Sequence, residues 1–154
     1  MARYDLRDEL AGQVQATIDR GAKVLMGGAK LSGPGNFYAP TILSDVVPGM
    51  VSFDQEIFGP VASLITADSA KHAIELANAS DFGLSGAIWS ANESNAKAFA
   101  REIQSGGIFV NGFSASDPRV PIGGVKKSGY GRELSHFGVR EFLNAQRCGS
   151  TGFD

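Results

Sequence analysis

The sequence predicts an α/β fold: a parallel, doubly wound sheet with flanking helices. Three observations carry this reading. Helical and extended patterns alternate along the chain. Strand, helix, strand, helix, strand follow one another from Val61 to Val110. The composition is that of an ordinary globular chain, with 43% apolar and 19% charged residues among 154. Parallel strands joined by right-handed crossovers leave a ligand crevice at their carboxyl ends. The loop after Val110 would lie at that end.

Taken in order, Asp5 can cap a first helix whose apolar face is Leu6, Leu10, Val14 and Ile18. Asp8 and Glu9 suit its first turn, Arg20 its last, and Gly21 stops it. Lys23 to Met26 is a short strand ending at Gly27-Gly28. The turn cluster Ser32-Gly33-Pro34-Gly35-Asn36 delivers an extended run, Phe37 to Leu43, which Pro40 restricts to a sheet edge. After the Pro48-Gly49 turn, Val61 to Ala67 reads as a buried strand. Asp68 can cap the next helix, with Ala70, Ala73, Ile74 and Ala77 at helical spacing. Ser85 to Ser90 is the following strand. Asn92 can cap a helix with Ala96, Phe99, Ala100 and Ile103 on one face, and Gly106-Gly107 leads into the apolar run Ile108-Phe109-Val110. A last short helix is expected from Glu133 to Asn144.

Several function classes are excluded by charge and patterning. A formal net charge of -2 with 14 Lys plus Arg gives no electrostatic basis for nucleic acid or an anionic membrane. Apolar runs of a few residues cannot span a bilayer, and the first residues lack an apolar signal core, so the cytoplasm is the default compartment. The single cysteine, Cys148, cannot close an internal disulfide and lies in a polar tail, where an inert thiol is expected.

Local motifs can be weighed on their chemistry. Gly124-Val125-Lys126-Lys127-Ser128-Gly129 has the glycines of a phosphate loop, but its Lys-Ser pair precedes the second glycine where such a loop needs it to follow. Ser94-Asn95-Ala96-Lys97 fits an S-x-x-K nucleophile pattern but lacks its K-T-G and S-D-N partners, so a solvated helical turn is expected. His72 and His136 have no cysteine or carboxylate at ligand spacing, and no metal site is expected.

Four ordered stretches carry a resemblance. These are Gln55-Glu56-Ile57-Phe58-Gly59-Pro60-Val61, then Asn78 with Phe82-Gly83-Leu84-Ser85, then Gly107-Ile108-Phe109-Val110-Asn111, then Ile122-Gly123-Gly124-Val125-Lys126-Lys127-Ser128-Gly129-Tyr130-Gly131-Arg132-Glu133. In order and spacing they resemble the C-terminal motifs of the aldehyde dehydrogenase superfamily, from about Leu6 to Gln146. The loop and the Glu133 to Gly138 stretch look closest to the bacterial succinate-semialdehyde type. The match corresponds to about the last third of the family's usual length.

That resemblance implies a chemistry. A cysteine thiolate attacks the aldehyde, hydride passes to NAD or NADP, and a glutamate-activated water releases the acid. It also implies that nucleophile, general base and dinucleotide-binding fold lie upstream of Met1. No catalytic residue is therefore expected in this chain, the parallel sheet is expected to be incomplete, and the chain alone is expected to be inactive. Glu56 matches the glutamate that hydrogen-bonds the nicotinamide ribose, and Phe58 the aromatic packed against that ribose. By residue chemistry alone Glu56 would be a solvated turn carboxylate and Phe58 core filling. Ser114, Ser116 and Arg119 fall in the substrate-anchoring loop, where Ser116 matches a serine that helps hold the substrate carboxylate. A hydroxyl and an arginine fork suit a carboxylate, and loop polarity alone also accounts for them.

On this basis residues 1–125 are expected to form part of the catalytic domain, 126–146 a glycine turn and C-terminal helix, and 147–154 an atypical tail. The family's usual Phe is Ile122 here. Its final alternating strand is replaced by Arg147-Cys148-Gly149-Ser150-Thr151-Gly152-Phe153-Asp154, whose composition does not suit an interface strand. The expected partner is a small-molecule aldehyde, with a homo-oligomer left open. The rival expectation is a non-catalytic fragment that associates with itself or with an intact enzyme through an uncovered sheet edge.

Overall fold

The first apolar stripe folds into α1 (Tyr4–Ile18) in a computed structural model, which describes residues 1–150. Leu10, Val14 and Thr17 are its buried residues, three or four positions apart on one face. Asp5 is not the cap. Arg3 holds the N-cap position in an extended conformation without a side-chain cap bond, and Asp5 sits in the first turn, 2.5 Å from the Arg3 guanidinium. There the carboxylate lies at the positive end of the helix dipole as well as beside a cation. Gly21, at φ 107°, reverses the chain. Arg20 falls beyond the last turn, its guanidinium donating to the Gly49 carbonyl.

The chain forms two compact units, one of Met1–Ser80 and one beginning at Asp81. In the first, β1 (Lys23–Met26) pairs antiparallel with β2 (Thr41–Ser44), and β2 pairs parallel with β3 (Val61–Ser63). The order β1-β2-β3 corrects the edge expectation for the Pro40 run, because β2 is central. Pro40 lies just before the strand, so its missing N–H removes no ladder bond, while the Thr41 N–H donates to the Pro60 carbonyl at 2.8 Å. A short helix, α2 (Val51–Asp54), follows the Pro48-Gly49 turn.

The core of this unit gathers Leu10 and Val14 of α1 with Tyr38, Leu43, Val46 and Met50. Burial of each aliphatic side chain contributes about 1.5–3 kcal/mol. β3 is shorter than the predicted Val61 to Ala67 and is not buried throughout: Leu64 and Ile65 beyond it are exposed. In α3 (Ala70–Ala79) the cap is Ser69, one residue after the predicted Asp68. Its hydroxyl accepts from the His72 N–H at 3.1 Å, three residues on, as N-cap geometry requires.

The second unit contains β4 (Phe82–Gly83), β5 (Gly86–Ile88), α4 (Glu93–Ala100), β6 (Ile108–Val110), β7 (Val125–Lys126) and α5 (Ser135–Arg140). Asn92 caps α4 as predicted, its side chain accepting from the Asn95 N–H at 2.9 Å. Ala96 is fully buried, and α4 packs on β6. β5 and β6 are parallel in the register Gly86–Ile108, Ala87–Phe109, Ile88–Val110, the crossover pair expected from the sequence. The run from Val61 to Val110 does not form one sheet, because β3 hydrogen-bonds to β2 while β5 and β6 pair with each other. β4 pairs antiparallel with β7, a strand inside the glycine-rich turn. α5 is shorter than the predicted Glu133 to Asn144.

Among the described residues no helix is long and apolar enough to cross a membrane. The end of the tail, 151–154, lies outside the described residues.

Candidate functional site

The stretch Gln55 to Pro60 follows α2 and is anchored by one inward residue. Ile57 packs against the core, and Glu56 and Phe58 on either side of it are exposed, Phe58 at 74%. Gly59 holds the segment close to α1: a Cβ there would lie 2.4 Å from Leu10 Cδ2. Gln13 Nε2 of α1 donates to the Glu56 carbonyl at 3.2 Å and fixes the backbone.

Glu56 and Phe58 together line a cavity of about 150 Å³ with Leu6, Glu9, Leu10 and Gln13. This pair of side chains fits a ribose. A carboxylate accepts hydrogen bonds from a diol, and an open aromatic face packs on the apolar side of a sugar ring. A whole dinucleotide does not fit here, since pockets for ligands of that size run to about 300–1,000 Å³. The core-filling alternative for Phe58 does not describe this exposed ring.

The loop after β6 is built outward from Asn111, the first residue past the strand. Its φ of 52° is left-handed, a conformation Asn tolerates better than most residues. Its N–H donates to the Ile88 carbonyl at 2.8 Å and continues the parallel ladder. Its side chain then extends that ladder: Oδ1 accepts from the Ser90 N–H at 2.8 Å, and Nδ2 donates to the Ser90 carbonyl at 2.9 Å. The loop thus leaves the sheet from a fixed point.

Ser114 and Ser116 are exposed on this loop. Asp117-Pro118-Arg119-Val120 closes as a turn, with the Val120 N–H on the Asp117 carbonyl at 3.0 Å and proline at the position that pre-sets its φ. Asp117 Oδ1 accepts the Arg119 N–H at 2.9 Å. Its carboxylate also takes the Arg119 guanidinium as a fork, Nε at 2.9 Å from Oδ1 and Nη2 at 2.6 Å from Oδ2. The hydrogen bond from Arg119 holds the Asp117 carboxyl below its usual range, and Asp117 raises Arg119 in turn.

The glycine turn beyond has packing reasons for its composition. A Cβ on Gly106 would lie 1.6 Å from the Gly123 carbonyl oxygen, and one on Gly123 would lie 2.5 Å from that of Gly131. Gly83 donates its N–H to Ser128 Oγ at 2.9 Å, while Lys127 Nζ sits 2.5 Å from Asp81 Oδ2. The lysine and serine that suggested a phosphate loop are occupied with holding β4 against this turn. Lys97, of the S-x-x-K pattern, pairs with Glu93 at 2.6 Å. His72 does have a carboxylate at helical spacing, against the expectation from the sequence: Asp68, four residues earlier, lies 3.4 Å from its Nδ1. Among the described residues no group of three or more His, Cys, Asp or Glu side chains could hold a metal ion. Cys148 is exposed.

The structure therefore brings Glu56 and Phe58 together in the first unit, and Ser114, Ser116 and Arg119 onto one loop in the second. Sequence reasoning missed two residues that shape that loop. In the sequence Asn111 stands only as the end of a motif, and Asp117 only as one more polar residue between Ser116 and Arg119. The signal for Asp117 was present, since aspartate followed by proline initiates turns.

Comparison with known proteins places these features in a lineage. The model of the aldehyde dehydrogenase family matches residues 1–148. The chain is 56% identical over 146 residues to succinate semialdehyde dehydrogenase [NAD(P)+] of Escherichia coli K12, covering 95% of this chain and 32% of that protein. It is 45% identical over 138 residues to succinate-semialdehyde dehydrogenase [NADP(+)] 1 of Mycobacterium tuberculosis, covering 90% of this chain and 30% of that one. Among solved structures, succinic semialdehyde dehydrogenase of Streptococcus pyogenes in complex with NADP+ superposes with a TM-score of 0.89 at 40% identity, over 94% of this chain and 32% of that one. The chain spans about a third of the length of the curated relatives it matches. A family model matching nearly end to end, relatives aligned along the same span and a shared backbone agree that this chain belongs to the aldehyde dehydrogenase family.

Proposed function

We propose that this chain is the C-terminal part of an NAD(P)-dependent aldehyde dehydrogenase that oxidises succinate semialdehyde to the carboxylic acid. The observation that carries the reading is the 56% identity over 146 residues to the E. coli enzyme of that name. Within the whole enzyme, Glu56 accepts hydrogen bonds from the ribose hydroxyls next to the nicotinamide. Phe58 packs its open face on the same ring, with Ile57 and Gly59 holding both in place. When bound, the nicotinamide supplies the hydride acceptor. Ser114 and Ser116 offer hydroxyl donors to the carboxylate at the far end of the aldehyde. The loop that carries them is held to the sheet by Asn111.

The chain by itself is inactive on this reading. Oxidation through a thioester needs a thiolate activated by an adjacent base or a positive environment, and the one cysteine of this sequence, Cys148, lies exposed in the tail, outside any helix or strand. Purified chain supplied with succinate semialdehyde and either NAD or NADP is expected to form no reduced nicotinamide. Robust turnover would overturn the assignment of the nucleophile to the remainder of the enzyme.

A second reading, association through a sheet edge, draws on β1. That edge strand exposes Val24, Leu25 and Met26 at 41, 60 and 49%. Such a strand is a template for pairing. Size-exclusion chromatography with light scattering distinguishes a defined dimer, which favours it, from a clean monomer, which does not.

A further inference from the structure

The loop that carries Ser114 and Ser116 contains one cation, and that cation is already paired. Arg119 offers its carboxylate-matching fork to Asp117, two residues earlier, through Nε and Nη2 at 2.9 and 2.6 Å. Bidentate, charge-assisted pairs of this kind are the strong ones among side-chain hydrogen bonds. The same carboxylate closes the turn by accepting the Arg119 N–H at 2.9 Å. Backbone and side chain of Arg119 are thus fixed by one group, and the fork is turned back on the loop. Two neutral hydroxyls are left facing solvent.

We propose that Asp117 is a specificity-determining positioning residue: it latches Arg119 within the Asp117–Val120 turn, so that the loop meets an anionic substrate through the Ser114 and Ser116 hydroxyls rather than through a free guanidinium. This rests on the reading of the loop as the substrate wall. Its consequence is a limit on affinity. A loop with a free arginine would hold every carboxylate, product and substrate alike, more tightly. A loop presenting hydroxyls keeps directional recognition while releasing the acid more readily. Arg119, which the sequence groups with the serines as a direct ligand, becomes the latched partner.

The substitution that isolates the latch is Asp117→Asn. An asparagine retains Oδ1 as acceptor for the Arg119 N–H and keeps the turn, while removing the charge that holds the guanidinium. The probes are succinate, as the dicarboxylate, and succinamide, as its neutral analogue. They are titrated onto the full chain while the amide signals of Ser114 and Ser116 are followed by nuclear magnetic resonance. For wild type, weak perturbation of those signals by succinate is expected. For Asp117→Asn, succinate is expected to bind about threefold tighter, the size of an exposed ion pair no longer competing for the fork. Succinamide should bind the two proteins equally. Adding Arg119→Gln to the variant should return the succinate affinity to the wild-type value.

Two results overturn the inference, and they differ. If succinate leaves Ser114 and Ser116 unperturbed in both proteins, the substrate-wall reading fails and the latch proposal with it. If wild type responds and Asp117→Asn responds no more strongly, the loop reading stands and the latch alone is wrong. Chemical shifts of residues 117–120 that stay within the turn pattern in Asp117→Asn show that the comparison is between folded loops.

Discussion

Asn111 and Ser90 form a side-chain to backbone pair that copies one rung of a parallel sheet, with Oδ1 accepting the Ser90 N–H at 2.8 Å and Nδ2 donating to the Ser90 carbonyl at 2.9 Å. The rung sits just past the last residues of β5 and β6, where the backbone turns left-handed at φ 52° and can no longer supply it. An amide side chain is suited to this because it presents one donor and one acceptor in the plane of a peptide group.

Asn111→Ala removes both bonds and places an alanine in a left-handed conformation it disfavours. The expected loss is about 1–2 kcal/mol. Asn111→Gly relieves the backbone strain but not the lost bonds, so it falls between wild type and Asn111→Ala. Hydrogen exchange at the Ser90 amide reads this directly. It should accelerate in both variants, and unchanged protection would remove Asn111 as the anchor of the loop.

Gly106 and Gly12 make opposite predictions from the same residue type. A Cβ on Gly106 meets the Gly123 backbone at 1.6 Å, where neither side can yield, so Gly106→Ala should cost about 3 kcal/mol. Nothing lies within 4 Å of the Cβ position of Gly12, on the exposed side of α1. Gly12→Ala should therefore stabilise by about 0.5–1 kcal/mol through helix propensity. Urea unfolding of the two variants checks both signs.

These contacts show what the sequence could and could not reveal. The stripe of Leu10 and Val14 in α1 and the Asn92 cap of α4 were legible because period and capping chemistry are local. So was the parallel pairing of β5 with β6, through the helix between them. The central place of β2 was not, since Pro40 warns against a strand but does not say that the strand starts one residue later. β4 and β7 hold two residues each, too few to show any period, and they pair across a span of sequence that no local pattern connects. At the site, residue types in the 56–58 segment acquired a role only through resemblance, whereas their exposure followed from a single anchored residue, Ile57. The Asp117–Arg119 fork escaped because a polar loop fixes no pairing by its pattern.

Gly59 and Phe58 separate stability from site. Gly59→Ala drives a methyl group to within 2.4 Å of Leu10, which is itself 1% exposed and has little room to retreat. A loss of about 1–3 kcal/mol is expected. Phe58, 74% exposed, should tolerate alanine within about 0.5 kcal/mol. Thermal unfolding followed by circular dichroism should place the two variants far apart, and equal destabilisation would mean that Phe58 is a packing residue after all.

Asp81 and Lys127 supply the pH dependence. Lys127 Nζ lies 2.5 Å from Asp81 Oδ2, and the Lys127 N–H donates to the Asp81 carbonyl at 2.9 Å. The hydrogen bond and charge of Lys127 hold the Asp81 carboxyl below its ordinary value of 3.8. A carboxyl with a lowered native value binds its proton more readily in the unfolded chain. The pair's contribution is therefore complete above the ordinary aspartate range and disappears as pH falls through the native value. Both groups are exposed, so the effect is small and screened by salt. A carboxyl-detected titration should place Asp81 below 3.8 in the wild type and return it toward that value in Lys127→Gln. Raising the salt concentration should narrow the gap between the two, whereas equal titration of Asp81 in both proteins would mean that Lys127 does not set it.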